Sequence, residues 1–183
     1  MSNANPVMTE SMMAKPATAS PAMLRDVQIL VVDNDADSRF LYATLFEPYG
    51  AKVTGLDSVG EALDQIRSFT PDILICEIRF INETIFPLLR QLRASARQRQ
   101  ASIPVLVVSA YCSAKLDETL RAQVTGQLLK PIDIHQLVDE VWGLVQLSRQ
   151  TGPLHSRDRQ ARLAKNRCDF IQPVQIESLV NQR

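Results

Sequence analysis

Five polar residues stand where short apolar runs end in this chain of 183 residues. Asp33 and Asn34 follow one run, Glu77 ends a second, Ser109 ends a third, and Lys130 follows a fourth, at separations of about 44, 32 and 21 residues. In an open α/β sheet, functional groups gather in the crevice at the carboxyl ends of the strands. Carboxylate and amide oxygens are ligands that a small, hard cation takes. The order of the five residues therefore predicts one polar site at one sheet edge.

The runs that position these residues are typical of buried parallel strands, because each is short and almost continuously apolar. Predicted strands cover 29–32, 52–56, 71–77, 104–109 and 127–129. Helical patterns separate them at 36–49, from Ser58 to about 69, at 86–97, at 114–122 and from Asp133 onwards. Five strands alternating with five helices predict an α/β fold, with a parallel sheet, right-handed crossovers and helices on both faces.

Local signals mark several helix ends. Gly50 ends the first helix, and Ser58 with Glu61 three residues later forms a capping box at the second. The first helix is expected to bury an apolar face formed by five residues: Phe40, Leu41, Ala43, Thr44 and Phe46.

Composition divides the chain into three parts: a leader at 1–24, a folded domain at 25–148 and a tail at 149–183. The leader is rich in Ser, Ala, Pro and Met and is expected to be disordered, with translation from Met13 or Met23 as an alternative. The tail carries seven Lys or Arg and three Asp or Glu, a net charge of about +4. It is expected to be flexible, and it is too short for a second folded DNA-binding domain.

Several classes of protein are disfavoured. Three cysteines without metal spacing, and two isolated histidines, argue for reduced thiols in the cytoplasm and against a zinc site. The chain has neither a secretory signal pattern nor an apolar run that could span a bilayer. A nucleotide-binding enzyme would need a glycine-rich loop after the first strand, where this chain has Asp33, Asn34 and Asp35.

The stretches 29–35, 71–77, 103–110 and 129–133 resemble the receiver domain of two-component response regulators, including the chemotaxis regulators. The resemblance covers about 26–147 and implies a flavodoxin-like sheet of order 2-1-3-4-5. It places Glu77 at the phosphoacceptor position, Ser109 and Lys130 against the phosphoryl group, and Pro131 in a structural turn after Lys130. It further implies Mg²⁺ ligands at Asp33, Asn34 and Glu77.

Three residues depart from the pattern of that family. Glu77 replaces the phosphoacceptor aspartate, Asn34 replaces a second acid, and Gln127 replaces the aromatic residue that switches rotamer on activation. The extra methylene of Glu77 displaces its carboxylate by about 1.5 Å, and a misplacement of order 1 Å costs phosphoryl transfer about a hundredfold. The neutral amide of Asn34 weakens Mg²⁺ binding, so we expect no required cofactor and at most a weak Mg²⁺ site.

We therefore expect an atypical single-domain response regulator of the cytoplasm, acting as a protein-interaction module without phosphorylation and without enzymatic activity. The carboxylate of Glu77 is expected to extend toward Lys130 and Ser109 and to mimic a phosphoryl charge in part. The resemblance implies that a sensor kinase or effector docks on the fourth helix, fifth strand and last helix. That surface includes 115–121 and Gln127.

Two alternatives remain open at this stage. The first is a conventional Mg²⁺-dependent phosphoacceptor of a phosphorelay. The second is a regulator that contacts nucleic acid through the basic tail and a cluster formed by Arg90, Arg93, Arg97 and Arg99. A solvated helix face is the simpler interpretation of that cluster, so the sequence favours a protein partner over nucleic acid or a membrane.

Overall fold

The computed structural model describes residues 22–98, 102–110 and 118–151. Residues 1–21 of the predicted leader and most of the predicted tail therefore lie outside the described residues. The same holds for Arg99 and for the first part of the predicted fourth helix, at 114–117.

Five strands and five helices alternate along the described chain. The strands are β1 (Gln28–Val32), β2 (Lys52–Leu56), β3 (Ile73–Cys76), β4 (Val105–Ser109) and β5 (Gly126–Leu129). The helices are α1 (Ala36–Phe46), α2 (Val59–Gln65), α3 (Phe86–Gln98), α4 (Glu118–Arg121) and α5 (Ile134–Thr151), and a 3-10 turn (Glu47–Tyr49) follows α1.

All strand pairs are parallel, and the sheet has the order β2-β1-β3-β4-β5. This confirms the predicted flavodoxin-like fold. In that order β1 and β3 are neighbours, with Val32 beside Cys76 at their carboxyl ends. The residues that follow these two strands, Asp33 and Glu77, are therefore brought to the same point of the sheet edge.

Side chains of β1 alternate between two hydrophobic cores, one on each face of the sheet. Ile29 and Val31 join a core with residues of α1 and α5, and Leu30 and Val32 join a core with residues of α2, α3 and α4. The alternation follows from the two-residue period of a strand. Helices consequently cover both faces, and β3 and β4 are buried throughout, whereas Lys52 and Gly55 of the edge strand β2 are exposed.

The buried face of α1 differs from the predicted one. Tyr42 and Phe46 are buried, whereas Phe40 is 73% exposed and Leu41 is 38% exposed. Residues four apart share one side of a helix, whereas Phe40 is about 200° away from Tyr42 around the axis. The expectation that Phe40, Leu41 and Thr44 face the core is therefore wrong, whereas the expectation for Phe46 is confirmed.

The first helix also ends earlier than predicted, because its last turn is a 3-10 turn containing Pro48. Proline lacks the N–H that would continue the α-helical ladder. Gly50 then adopts a φ of +89°, which terminates the turn in the left-handed region open to glycine.

The described structure continues across both predicted domain boundaries, at 24/25 and at 148/149. Leu24, assigned to the leader, is fully buried, and its N–H donates to the carbonyl of Tyr49 at 3.0 Å. Helix α5 extends beyond 148 to Thr151. Within the described ranges, no helix combines the length and apolar character that crossing a bilayer would require.

Candidate functional site

Asp33 lies just beyond β1 with its carboxylate almost fully buried, at 1% exposure. Its Oδ1 accepts the N–H of Asp35 at 2.9 Å, and its Oδ2 accepts a hydrogen bond from Lys130 Nζ at 2.9 Å. Arg39 donates to the Asp33 carbonyl at 2.7 Å. Each oxygen of the Asp33 carboxylate therefore has a donor, as a buried charge requires.

Lys130 follows β5, and its backbone N–H donates to the carbonyl of Ser109 at 2.9 Å, which joins the ends of β4 and β5. Its ammonium donates to Asp33 and also to the hydroxyl oxygen of Ser38 at 3.1 Å. The Glu77 Oε2 atom lies 3.8 Å from the same ammonium, beyond ordinary hydrogen-bond distance. Lys130 is thus bonded to the β1 side of the site, and the Lys130–Pro131 peptide bond is cis.

Glu77 follows β3, and its N–H donates to the Val32 carbonyl at 2.9 Å. Its Oε1 atom accepts the N–H groups of Ile78 at 2.7 Å and Arg79 at 3.3 Å. The side chain is mostly buried, with 9% of the residue exposed. The glutamate therefore folds back on the start of its own loop and approaches Lys130 with one oxygen only.

Ser38 was not found from the sequence, although it stands three residues after Asp35, the residue that caps α1. Its hydroxyl donates to Asp35 Oδ2 at 2.7 Å while accepting from Lys130. This hydrogen bond from Ser38, with a second from the N–H of Asp37, lowers the pKa of Asp35. Lys130, Ser38 and Asp35 therefore form a short hydrogen-bonded chain at the start of α1.

Glu83 is a second residue that the sequence did not identify. It lies in the loop between β3 and α3, and its carboxylate accepts the N–H groups of Val59 at 2.8 Å and Gly60 at 3.2 Å. These are the first amides of α2, which have no partner within the helix and carry its positive dipole end. Glu83 thus ties the loop after Glu77 to α2.

The other predicted site residues have distinct positions. Ser109 ends β4 and is fully buried, whereas Asn34 is exposed. Gln127 lies within β5 at 6% exposure. The expected docking surface included Gln127, and that part of the expectation is wrong because the side chain faces the interior.

Two buried titratable groups lie close to the site. Burial raises the pKa of the Cys76 thiol, and the Glu77 and Asp33 charges raise it further. Burial, followed by the Asp33 and Glu77 charges, also raises the pKa of the Tyr42 hydroxyl. Both groups therefore stay protonated at neutral pH.

The carboxylates of this site do not fit a resident Mg²⁺ ion as they are arranged. Both oxygens of Asp33 and one oxygen of Glu77 accept hydrogen bonds, and the remaining Glu77 oxygen faces the Lys130 ammonium. Mg²⁺ requires oxygen ligands in near-octahedral geometry, so it would have to displace the ammonium from Asp33. Among the described residues, no cluster of three or more Asp, Glu, His or Cys is placed to hold a metal.

Comparisons with known proteins agree with this architecture. A family model described as "Response regulator receiver domain" matches residues 29–142. The chain is 33% identical over 138 residues to the "Regulator of RpoS" of Escherichia coli, covering 74% of this chain and 40% of that protein. It is 28% identical over 127 residues to the "Transcriptional regulatory protein ZraR" of Salmonella typhimurium, covering 69% of this chain and 28% of that protein. The chain thus spans less than half the length of these curated relatives.

A solved structure shares the fold at lower sequence identity. It is the response regulator receiver domain protein (CheY-like) from Methanospirillum hungatei JF-1, with a TM-score of 0.61 and 19% identity. The match covers 69% of this chain and 99% of that one. The match therefore extends over almost the whole length of that receiver domain.

Proposed function

Because the chain belongs to the response regulator receiver family, we propose that it is a protein-interaction module of two-component signalling whose state does not depend on phosphorylation. In this proposal Glu77 stands at the phosphoacceptor position of the family. The observation that carries it is the geometry of the Glu77 carboxylate, with Oε1 bonded to two backbone amides and Oε2 3.8 Å from Lys130.

A phosphoacceptor must present a carboxylate oxygen to a phosphorus atom in line with the leaving group. In Glu77 the Oε1 atom is occupied by the N–H groups of Ile78 and Arg79, and the side chain is one methylene longer than an aspartate. Since positioning accounts for most of the catalysis of phosphoryl transfer, such a displacement lowers the rate by about a hundredfold or more.

The position of Lys130 supports a single resting state. Its ammonium is 2.9 Å from Asp33 and 3.8 Å from Glu77, and Ser38 provides a further bond on the Asp33 side. A coulombic attraction falls with distance, so Asp33 attracts the ammonium more strongly than Glu77 does. Glu77 also carries one negative charge where a phosphoryl group carries nearly two. Glu77 accordingly mimics a phosphoryl group only in part. It biases the domain toward one conformational state only by the difference between its contact energies in the two states.

We assign the partner surface to α4, β5 and α5. Receiver domains commonly use this face for their partners, and Ile134 at the start of α5 is 47% exposed on it. The partner in this proposal is a sensor kinase or an effector protein in the cytoplasm. The domain needs no cofactor and catalyses no reaction on a separate substrate.

The test is uptake of phosphate from acetyl phosphate and Mg²⁺, followed by intact-protein mass spectrometry. We expect the wild-type protein to stay unmodified, whereas Glu77→Asp gains a hydroxylamine-labile phosphoryl group. The Glu77→Gln variant is the matched control because it keeps the length of the side chain and removes the charge. A stoichiometric, hydroxylamine-labile modification of Glu77 in the wild type would overturn the proposal.

Binding of Mg²⁺ is measured in the same three proteins by the fluorescence of Trp142. We expect Glu77→Asp to bind Mg²⁺ more tightly than the wild type, because the pattern of the family places an aspartate among the Mg²⁺ ligands at this position. Equal affinity in both proteins would show that Glu77 does not weaken the metal site.

A further inference from the structure

A groove separate from the strand-end site lies between α3 and the residues that follow α4. Its volume is about 540 Å³. The lining contains three arginines of α3, Arg90, Arg93 and Arg97, with Phe86 at one end and Gln123 opposite. We infer that this groove binds an extended acidic segment of a partner protein.

The charge of the groove differs from that of the surrounding domain. Its lining has three arginines and no acidic residue. The described residues as a whole carry eleven Lys and Arg against fifteen Asp and Glu, a formal net charge of −4. A positively charged groove on a negatively charged domain favours a ligand with a few carboxylates in the groove. The same ligand should carry little negative charge where it passes over the rest of the domain.

One of the arginines is held in place by the fold. Arg93 is half-buried and donates to the carbonyl of Ala122 at 2.8 Å, bridging α3 to the end of α4. Its guanidinium is therefore positioned before a ligand arrives, which lowers the entropy lost on binding. Arg90 and Arg97 are exposed on either side of it along α3.

The spacing along α3 suits an extended peptide. Arg90 and Arg97 are about 10.5 Å apart along the helix axis, with Arg93 between them. Alternate side chains of an extended peptide point the same way about 6.8 Å apart, so two or three acidic residues at alternate positions span a similar length. Phe86, which is 36% exposed, offers an apolar contact for a residue at one end of such a segment.

No segment of the same chain outside the described ranges carries the net negative charge that this groove would attract. Residues 152–183 contain six Lys or Arg and three Asp or Glu, and residues 1–21 contain one of each sign. The ligand is therefore expected from another molecule. A nucleic-acid strand is disfavoured because its continuous negative charge would extend from the groove over a domain that is itself negative. This inference does not depend on the state of Glu77.

The test uses fluorescent peptides of about eight residues with Glu at alternate positions and Leu or Phe between them. Affinity is measured by anisotropy at about 50 mM salt, where screening is weak. Arginine side-chain N–H signals in NMR spectra then locate the bound peptide. Peptides with Lys in place of Glu, and an oligothymidine strand, are measured beside them.

We expect the acidic peptides to bind and to shift the Arg90 and Arg97 signals. The double variant Arg90→Gln/Arg97→Gln should weaken binding about tenfold, since each partly exposed ion pair contributes up to about a factor of five. The matched control Arg67→Gln/Arg149→Gln removes the same charge from exposed arginines outside the groove and should leave the affinity unchanged.

Three results would overturn the inference. The first is an equal loss of affinity in the two double variants, which would indicate attraction by overall charge. The second is the absence of binding by every acidic peptide at low salt. The third is tighter binding of oligothymidine than of any peptide, with shifts at the same arginines, which would assign the groove to nucleic acid.

Discussion

Two corners of the sheet edge present a carboxylate to the same lysine. The β1 corner consists of Asp33, Asp35 and Ser38, and the β3 corner consists of Glu77 with the amides of Ile78 and Arg79. In each corner one carboxylate oxygen accepts backbone N–H from the following residues. The other oxygen faces Lys130, at 2.9 Å in the β1 corner and at 3.8 Å in the β3 corner.

The longer side chain of Glu77 does not bring its charge closer to Lys130 than the shorter side chain of Asp33 does. Glu77 uses its additional methylene to bend back toward the loop that follows it, where two amides hold one of its oxygens. Asp33 is shorter and more deeply buried, and it is joined by Ser38 as a second partner of Lys130. Lys130 is consequently hydrogen-bonded to the β1 corner.

The largest expected effect comes from Lys130→Met, which removes the cation from both corners. Asp33 would remain as a buried carboxylate without its counterion, and we expect the free energy of unfolding to fall by about 3 kcal/mol. Urea denaturation measures this change. The double variant Asp33→Asn/Lys130→Met should recover part of the loss, because it removes the buried charge as well. A fall of less than about 1 kcal/mol in the single variant would show that Asp33 does not rely on Lys130.

A pair of double-mutant cycles compares the corners directly. With Asp33→Asn and Glu77→Gln, each combined with Lys130→Met, we expect a coupling energy of about 2 kcal/mol for Asp33–Lys130 and under about 1 kcal/mol for Glu77–Lys130. We expect this difference because the Lys130 ammonium lies 2.9 Å from the Asp33 carboxylate and 3.8 Å from the Glu77 carboxylate. Equal coupling energies would remove the distinction between the corners.

Glu83 secures the loop that leaves the β3 corner, so its removal tests that corner without touching Lys130. Glu83→Ala should lower the free energy of unfolding by about 1 kcal/mol, since two amides at the start of α2 lose their acceptor. Thermal or urea unfolding measures the loss. Glu83→Gln is the matched variant, and it should lose less because its amide oxygen still accepts. An equal loss in both variants would assign the effect to charge alone.

The smallest effect concerns acid titration of the β1 corner. The Ser38 hydrogen bond is the largest cause of the lowered pKa of Asp35, so Ser38→Ala should raise that pKa toward its usual value of 3.8. A lowered carboxyl pKa stabilises the fold at pH values above the usual pKa of the group. This stabilisation is lost as the pH falls through the lowered pKa. NMR titration of the Asp35 carboxyl carbon measures the shift. An unchanged titration curve in Ser38→Ala would contradict the assignment of Ser38.

Much of the fold follows from patterns that are local in the sequence. The apolar runs at 29–32 and 104–109 coincide closely with strands, because a strand buried on both faces has few polar positions. The strand predicted at 52–56 also matches β2, although this edge strand is partly exposed. Alternation of strands and helices then limits the topology to a parallel sheet covered on both faces. The strand order itself came from the resemblance to receiver domains.

Helix orientation was harder to predict than helix position. In α1, apolar residues occur on more than one side, and the periodicity of Phe40 and Leu41 competes with that of Tyr42 and Phe46. Which side is buried depends on the surface that the sheet and α5 present to the helix. Ser38 and Glu83 were missed for a related reason, since each acts on a group distant in sequence, Lys130 and the start of α2 respectively.

Strand periodicity and order along the chain predicted the parallel α/β fold and the placement of Asp33, Glu77, Ser109 and Lys130 at strand ends. The family followed from the resemblance of four stretches of the sequence to receiver domains. The folded arrangement was needed to show which carboxylate Lys130 contacts, and to show that three arginines of α3 line a groove with residues beyond α4. The physical reason is that ion pairing and groove formation depend on differences of about 1 Å between side chains far apart in sequence. Residue type and spacing alone do not contain those distances.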